Sequence, residues 1–160
     1  MIYQVYNNCG DYMNNYENII KLYFKSMKSF EKIESTPRNF GTGDFLYSSE
    51  IHTLVAIGKH QGCNLTELAM DLNITKGGAG KFIKKLLNKD LIHKTQLPNN
   101  KKEVIFYMTD KGRIAYDTHE LFEQDRFGKI FETLDSMEEK KVKDLEDFLK
   151  KLNEILDAGE

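Results

Sequence analysis

The stretch from Asn64 to Ile92 constrains this chain more than any other. Asn64 and Glu67 have the spacing of a capping box, in which the residue before a helix and the third residue within it satisfy each other's backbone N–H groups. LTELAMDL should therefore begin a short helix with Leu65, Leu68, Ala69 and Leu72 on one face. After a brief break, Thr75 is suited to N-cap a second helix of about four turns, whose apolar stripe is Ala79, Phe82, Ile83, Leu86 and Leu87. Two short helices joined by a tight turn make a helix-turn-helix unit, in which the second helix enters the DNA major groove and the first crosses the backbone. Away from the stripe the second helix carries Lys76, Gly77, Gly80, Lys81 and Lys84, a face suited to a groove. Thr75 and Gly78 at its start, with Asn64 and Thr66 at the start of the first helix, complete the expected contact set.

Gly77, Gly78 and Gly80 need an explanation, because each costs roughly 1 kcal/mol against alanine inside a helix. Either the missing side chains let the helix N-terminus come close to a phosphate or base edge, or Gly77 and Gly78 belong to an irregular first turn. A nucleotide-binding loop is excluded. Such a loop needs glycine five residues before Gly80 and Ser or Thr after Lys81, where this chain has Thr75 and Phe82.

A length of 160 residues suits one domain, or one domain with added interaction helices. The net charge of -2 conceals a division. From Ser48 to Thr109, nine lysines face five acidic residues, a balance of +4, whereas Asp110 to Glu160 carries 15 acidic and nine basic residues. A basic middle on an acidic frame fits double-stranded DNA as partner. Two cysteines, no signal-like apolar start and no run of about 18 apolar residues lead us to expect a cytoplasmic protein without a membrane partner.

Along the chain, Asp11 to Ser35 reads as one long helix with Tyr16, Ile19, Ile20, Tyr23, Phe24, Met27 and Phe30 stepping by three and four. Pro37, Gly41 and Gly43 break it. A helix from about Ser48 to His60 turns Ile51, Leu54, Val55 and Ile57 or Gly58 inward. After the helix-turn-helix the period changes to two. Leu91 to Gln96 and Glu103 to Met108 read as strands joined through Leu97, Pro98, Asn99, Asn100, Lys101 and Lys102, so the tip is cationic. Such a hairpin is the wing of a winged helix, placed against the DNA backbone or minor groove, with Asn99 to Lys102 as its contacts. Thr109 or Asp110 caps a helix to about Thr133, and Asp135 or Ser136 opens a last one with Val142, Leu145, Phe148, Leu149, Leu152, Ile155 and Leu156 on one side.

The expected fold is mainly α: an N-terminal dimerisation helix and linker over 1–47, a winged helix-turn-helix with a two-stranded wing over 48–109, and C-terminal dimerisation helices over 110–160. The amphipathic stripes at the two ends must be covered, within one subunit or between two. Two-fold pairing sets recognition helices about 34 Å apart, which calls for a pseudopalindromic operator.

LYSSEIHTL, the helix-turn-helix, and VIFYMTDKGR with Met108, Thr109, Gly112 and Arg113 resemble the MarR (multiple antibiotic resistance regulator) family of winged-helix transcription factors from Asp44 to Leu156. The resemblance implies a homodimer that binds a promoter and responds to a small ligand or to oxidation. Two departures stand out. The family's Asp-x-Arg wing motif falls on Asn100, Lys101 and Lys102, and its Ser-Arg pair in the recognition helix falls on Gly80 and Lys81. Lysine keeps the charge of arginine but loses its planar fork.

By the same resemblance, an effector would sit among Tyr16, Ile20, Tyr23, Phe24, Tyr47, His52, Tyr116 and Phe122, aromatic walls suited to a phenolic or planar molecule. Ordinary core packing is the competing reading of each. His52, with His119 and Glu123 one turn apart, occupies places similar to the ligands of zinc-responsive members, although Ile51 replaces the usual Glu before the first His. Cys9 is placed like a peroxide-sensing cysteine of some relatives but has no cation nearby in sequence, and Cys63 reads as a small apolar filler.

No cofactor is required by this reading, and no metalloprotease helix, nucleotide loop or nucleophile elbow argues for an enzyme. A winged-helix module for contact with an acidic protein is the alternative to a DNA-binding regulator, and a zinc-responsive regulator is the alternative within the fold.

Overall fold

A computed structural model describes residues 13–97 and 100–158. Cys9, Pro98 and Asn99 lie outside them, and of Asn100, Lys101 and Lys102 only the backbone is described. Among the described residues there are six helices and two small antiparallel sheets. The first helix, α1 (Met13–Ser35), is closed by Thr36 Oγ1 donating to Lys32 O at 2.6 Å and Arg38 Nη1 donating to Ile33 O at 3.0 Å. Where the sequence promised only a break, β1 (Arg38–Asn39) and β2 (Phe45–Leu46) make a short hairpin. Gly41 and Gly43 turn it, both at φ 81, and the Asn39 side chain accepts from both N–H groups.

The winged helix follows: α2 (Ser48–Lys59), β3 (Cys63–Asn64), α3 (Leu65–Asp71), α4 (Lys76–Asn88), β4 (Ile92–Leu97) and β5 (Asn100–Met108). Of the expected inward positions Ile51, Leu54, Ile57, Leu68, Ala69, Ala79, Ile83 and Leu86 are buried, with Leu91 and Ile92 beside them, whereas Val55, Leu65, Leu72, Phe82 and Leu87 are half-buried. Asn73, at φ 50, makes the turn between α3 and α4, a backbone region that asparagine tolerates better than most residues. The sheet order is β3-β5-β4. The strand β3, absent from the sequence reading, pairs Cys63 with Phe106 and Asn64 with Ile105.

Thr109 caps α5 (Asp110–Asp135), its Oγ1 accepting from Gly112 N–H at 3.0 Å and donating to Asp90 O at 2.8 Å. Gly112 has a steric reason to be glycine: a Cβ there would lie 2.0 Å from the Leu91 carbonyl oxygen. The last helix, α6 (Glu139–Asp157), begins later than Asp135 or Ser136. Asp135 is instead the last residue of α5, and Ser136 follows it in a turn where its Oγ donates to Thr133 O and Met137 N–H to Leu134 O.

Two compact units divide the chain, one ending at Tyr116 and the other beginning at Asp117, within α5. In the first unit, Tyr16, Ile19, Leu22, Met27 and Phe30 of α1 are exposed. In the second, α6 has no buried residue, and Leu145, Phe148, Leu149, Ile155 and Leu156 are exposed. No helix among the described residues is long and apolar enough to cross a membrane.

Candidate nucleic-acid interface

Thr75 Oγ1 accepts from Gly78 N–H at 3.1 Å and starts α4 as a regular helix at Lys76. Ala79, Ile83 and Leu86 bury one side of it; Lys76, Gly77, Lys81, Lys84 and Lys85 are exposed on the remainder, with Gly78 and Gly80 half-buried. A helical first turn removes the reading of Gly77 and Gly78 as irregular. A Cβ at Gly77 or Gly80 would meet nothing within 4 Å. The interior therefore gives no reason for glycine at either position, although each costs the helix roughly 1 kcal/mol. What their absence of side chains provides is a low, open surface bordered by lysines.

The far end of α4 is anchored. Glu50 of α2, 1% exposed, places Oε2 2.9 Å from Lys89 Nζ and Oε1 3.2 Å from Lys85 Nζ. Lys89 also donates to the Phe45 carbonyl at 2.8 Å, and Glu50 Oε2 accepts from Tyr47 N–H at 3.0 Å. Burial pushes the Glu50 carboxyl up, but Lys89, the Tyr47 N–H and Lys85 together outweigh it and hold the pKa below the ordinary value. Lys89, one of the nine lysines in the basic balance of the middle region, is thus a structural cation.

At the first helix of the pair, the expected capping box is present: Asn64 Oδ1 accepts from Thr66 N–H at 2.9 Å and Glu67 N–H at 3.0 Å, and Glu67 Oε2 accepts from Asn64 N–H at 2.9 Å. The other end of the same amide, Asn64 Nδ2, donates to Glu103 Oε1 on β5 at 2.8 Å. Asn64, expected to face DNA, has both ends of its amide engaged within the protein, whereas Thr66 is exposed.

The wing pairs from Ile92 with Met108 to Gln96 with Val104, shifts register between Gln96 and Leu97, and then pairs Leu97 with Asn100. Strand pairing thus runs closer to the tip than the expected loop of Leu97 to Lys102, and Asn100, Lys101 and Lys102 begin β5. Lys94 is exposed on β4, and the neighbouring His93 ring stacks on Tyr107, centroids 5.6 Å apart.

Among residues expected to line an effector site, Tyr16, Tyr47 and His52 are exposed, and Ile20, Tyr23, Phe24, Tyr116 and Phe122 are half-buried. Tyr116 packs against Gly58, where a Cβ would lie 2.7 Å from its ring, and the Arg113 guanidinium covers it. A groove of about 600 Å³ has a different lining, which includes His60, Cys63, Glu67, Leu68, Met70 and Asp71. Cys63 is buried there. Burial, followed by the Glu67 and Asp71 carboxylates, raises its thiol pKa, which suits a filler and not a nucleophile.

His52 lies on α2 in the first unit, with Nδ1 3.4 Å from Ser48 Oγ. In the second unit, buried His119 has Nε2 3.9 Å from Glu123 Oε1, and Arg126 holds the other Glu123 oxygen at 2.6 Å. Among the described residues no three His, Cys, Asp or Glu side chains are grouped so as to hold a metal ion.

Against known proteins, the model of the MarR family matches residues 46–104. The HTH-type transcriptional regulator PchR of Bacillus subtilis (strain 168) is 29% identical over 158 residues, covering 99% of this chain and 89% of that one. Among solved structures, Lactococcus lactis ZitR, a zinc-responsive MarR family member, superposes with a TM-score of 0.72 at 20% identity, over 88% of this chain and 98% of that one. Streptococcus pneumoniae FabT in complex with DNA gives 0.63 at 21% identity, over 94% and 100%.

Proposed function

Because this chain is a MarR-family transcription regulator that binds DNA, we propose that it does so as a homodimer, with α4 of each copy in one of two successive major grooves of a pseudopalindromic operator. The observation that carries the reading is the exposed face of α4, where Lys76, Lys81 and Lys84 surround glycines that open onto empty space. The N–H groups of its first turn and the positive end of its dipole favour a phosphate there. Lys101 and Lys102 add wing contacts, which lacking arginine's fork discriminate sequence weakly.

The dimer is supported by the uncovered apolar positions of α1 and α6, since a helix that buries nothing in one copy gains by pairing with another. The protein has no catalysis of its own and works in the cytoplasm, where a small ligand modulates binding. Zinc is the second reading of that ligand: His119 stands beside Glu123, but Arg126 already engages that carboxylate.

Selection of bound duplexes from a random pool tests this reading. A two-fold symmetric consensus is expected. Retention of no duplex, or of duplexes without sequence preference, would instead favour a winged helix used for protein contact.

A further inference from the structure

We propose that Asn64 and Glu103 form a positioning pair that fixes the wing relative to α4, so that the wing lysines and the α4 face engage one duplex together. The inference rests on the DNA-binding reading above. β3 and β5 are paired at only two positions, Cys63 with Phe106 and Asn64 with Ile105. Beyond Asn64 the chain turns into α3, and β5 continues toward Asn100 with β4 as its strand neighbour. An isolated two-stranded ribbon twists readily and is marginally stable alone.

Glu103 lies two residues from Ile105 and hence on the same face of β5, diagonal to Asn64 and within reach of a long side chain. The 2.8 Å contact has an ionised acceptor, which makes it stronger than a neutral hydrogen bond. Asn64 Oδ1 meanwhile caps α3, and α3 packs against α4. A single amide therefore connects the wing strand to the helix pair. Lys101 and Lys102 adjoin Glu103 on the side of the tip.

A carboxylate on the wing is repelled by phosphates, so its charge alone opposes DNA binding. That sets two explanations of Glu103 against each other with opposite signs. If only its charge mattered, removing it would tighten binding; if it positions the wing, removing its acceptor oxygen weakens binding.

The test measures affinity for the selected duplex over a range of salt, with thermal unfolding of each variant as a check on folding. Glu103→Ala should bind about tenfold more weakly, with a salt slope shallower by about one, as a wing phosphate contact is lost. Glu103→Gln keeps an acceptor oxygen and removes the charge, and should bind at least as tightly as the parent. Asn64→Ser keeps a helix cap but lacks the amide donor, and should match Glu103→Ala. The double variant should be no weaker than either single one. Glu103→Ala binding as tightly as the parent, Glu103→Gln failing to rescue, or the two losses adding would each overturn the positioning role. Failure of the parent to bind any duplex would overturn the DNA-binding reading with it.

Discussion

The carboxylate of Glu50, inside α2, lies 2.9 Å from the ammonium of Lys89, the residue that closes α4. One ion pair thus joins the helix that carries the core to the end of the helix that carries the cationic face. Lys89 also suits the negative end of the α4 dipole, and its bond to Phe45 O ties in the β1–β2 hairpin.

Replacement of that carboxylate has a pH signature. The folded pKa of Glu50 is lowered, so its contribution is present above the ordinary carboxylate value of 4.5 and is lost as pH falls through the folded value. Glu50→Gln should cost about 1–3 kcal/mol at neutral pH and flatten the loss of stability below about pH 4.5. Urea unfolding between pH 7 and 3 measures both. An unchanged acid slope in the variant would show that other groups carry it.

Glycine in α4 separates stability from binding. Gly77→Ala and Gly80→Ala have room for the added methyl, so each should stabilise the fold by up to about 1 kcal/mol. Each should also weaken affinity for the operator, because the methyl stands on the surface that approaches the duplex. Melting temperature together with binding isotherms checks the pair of effects. Higher stability with unaltered affinity would mean that the close approach is not used.

The uncovered stripe of α6 makes a third expectation. Leu149 is 45% exposed in the single copy, so Leu149→Glu should leave helix content unchanged while converting a dimer into a monomer at micromolar concentration. Sedimentation equilibrium distinguishes the two states. A parent protein that is itself monomeric would refute the dimer.

Much of the architecture was legible because its signals are local. The Asn64–Glu67 capping box, the Thr75 cap and the Ala79, Phe82, Ile83, Leu86, Leu87 stripe each lie within a few residues; both caps are present, and of the stripe Ala79, Ile83 and Leu86 are buried and Phe82 and Leu87 half-buried. What escaped the sequence depends on distant partners or on segments too short to be periodic. Two-residue strands such as β1 and β3 leave no alternation to read. The role of Lys89 depends on Glu50, 39 positions away, and Asn64 is diverted to Glu103 at the same separation. The spacing to Glu67 revealed the capping half of the Asn64 amide, but neither the Glu103 contact of its other half nor the partner of Lys89.

The central claim, that two α4 helices read one duplex, is tested most directly by hydroxyl-radical footprinting of the selected operator with the parent and Lys81→Glu. The account predicts two protected patches about one helical turn, 34 Å, apart, both lost in the variant. A single patch, or protection that survives the charge reversal at Lys81, would contradict it.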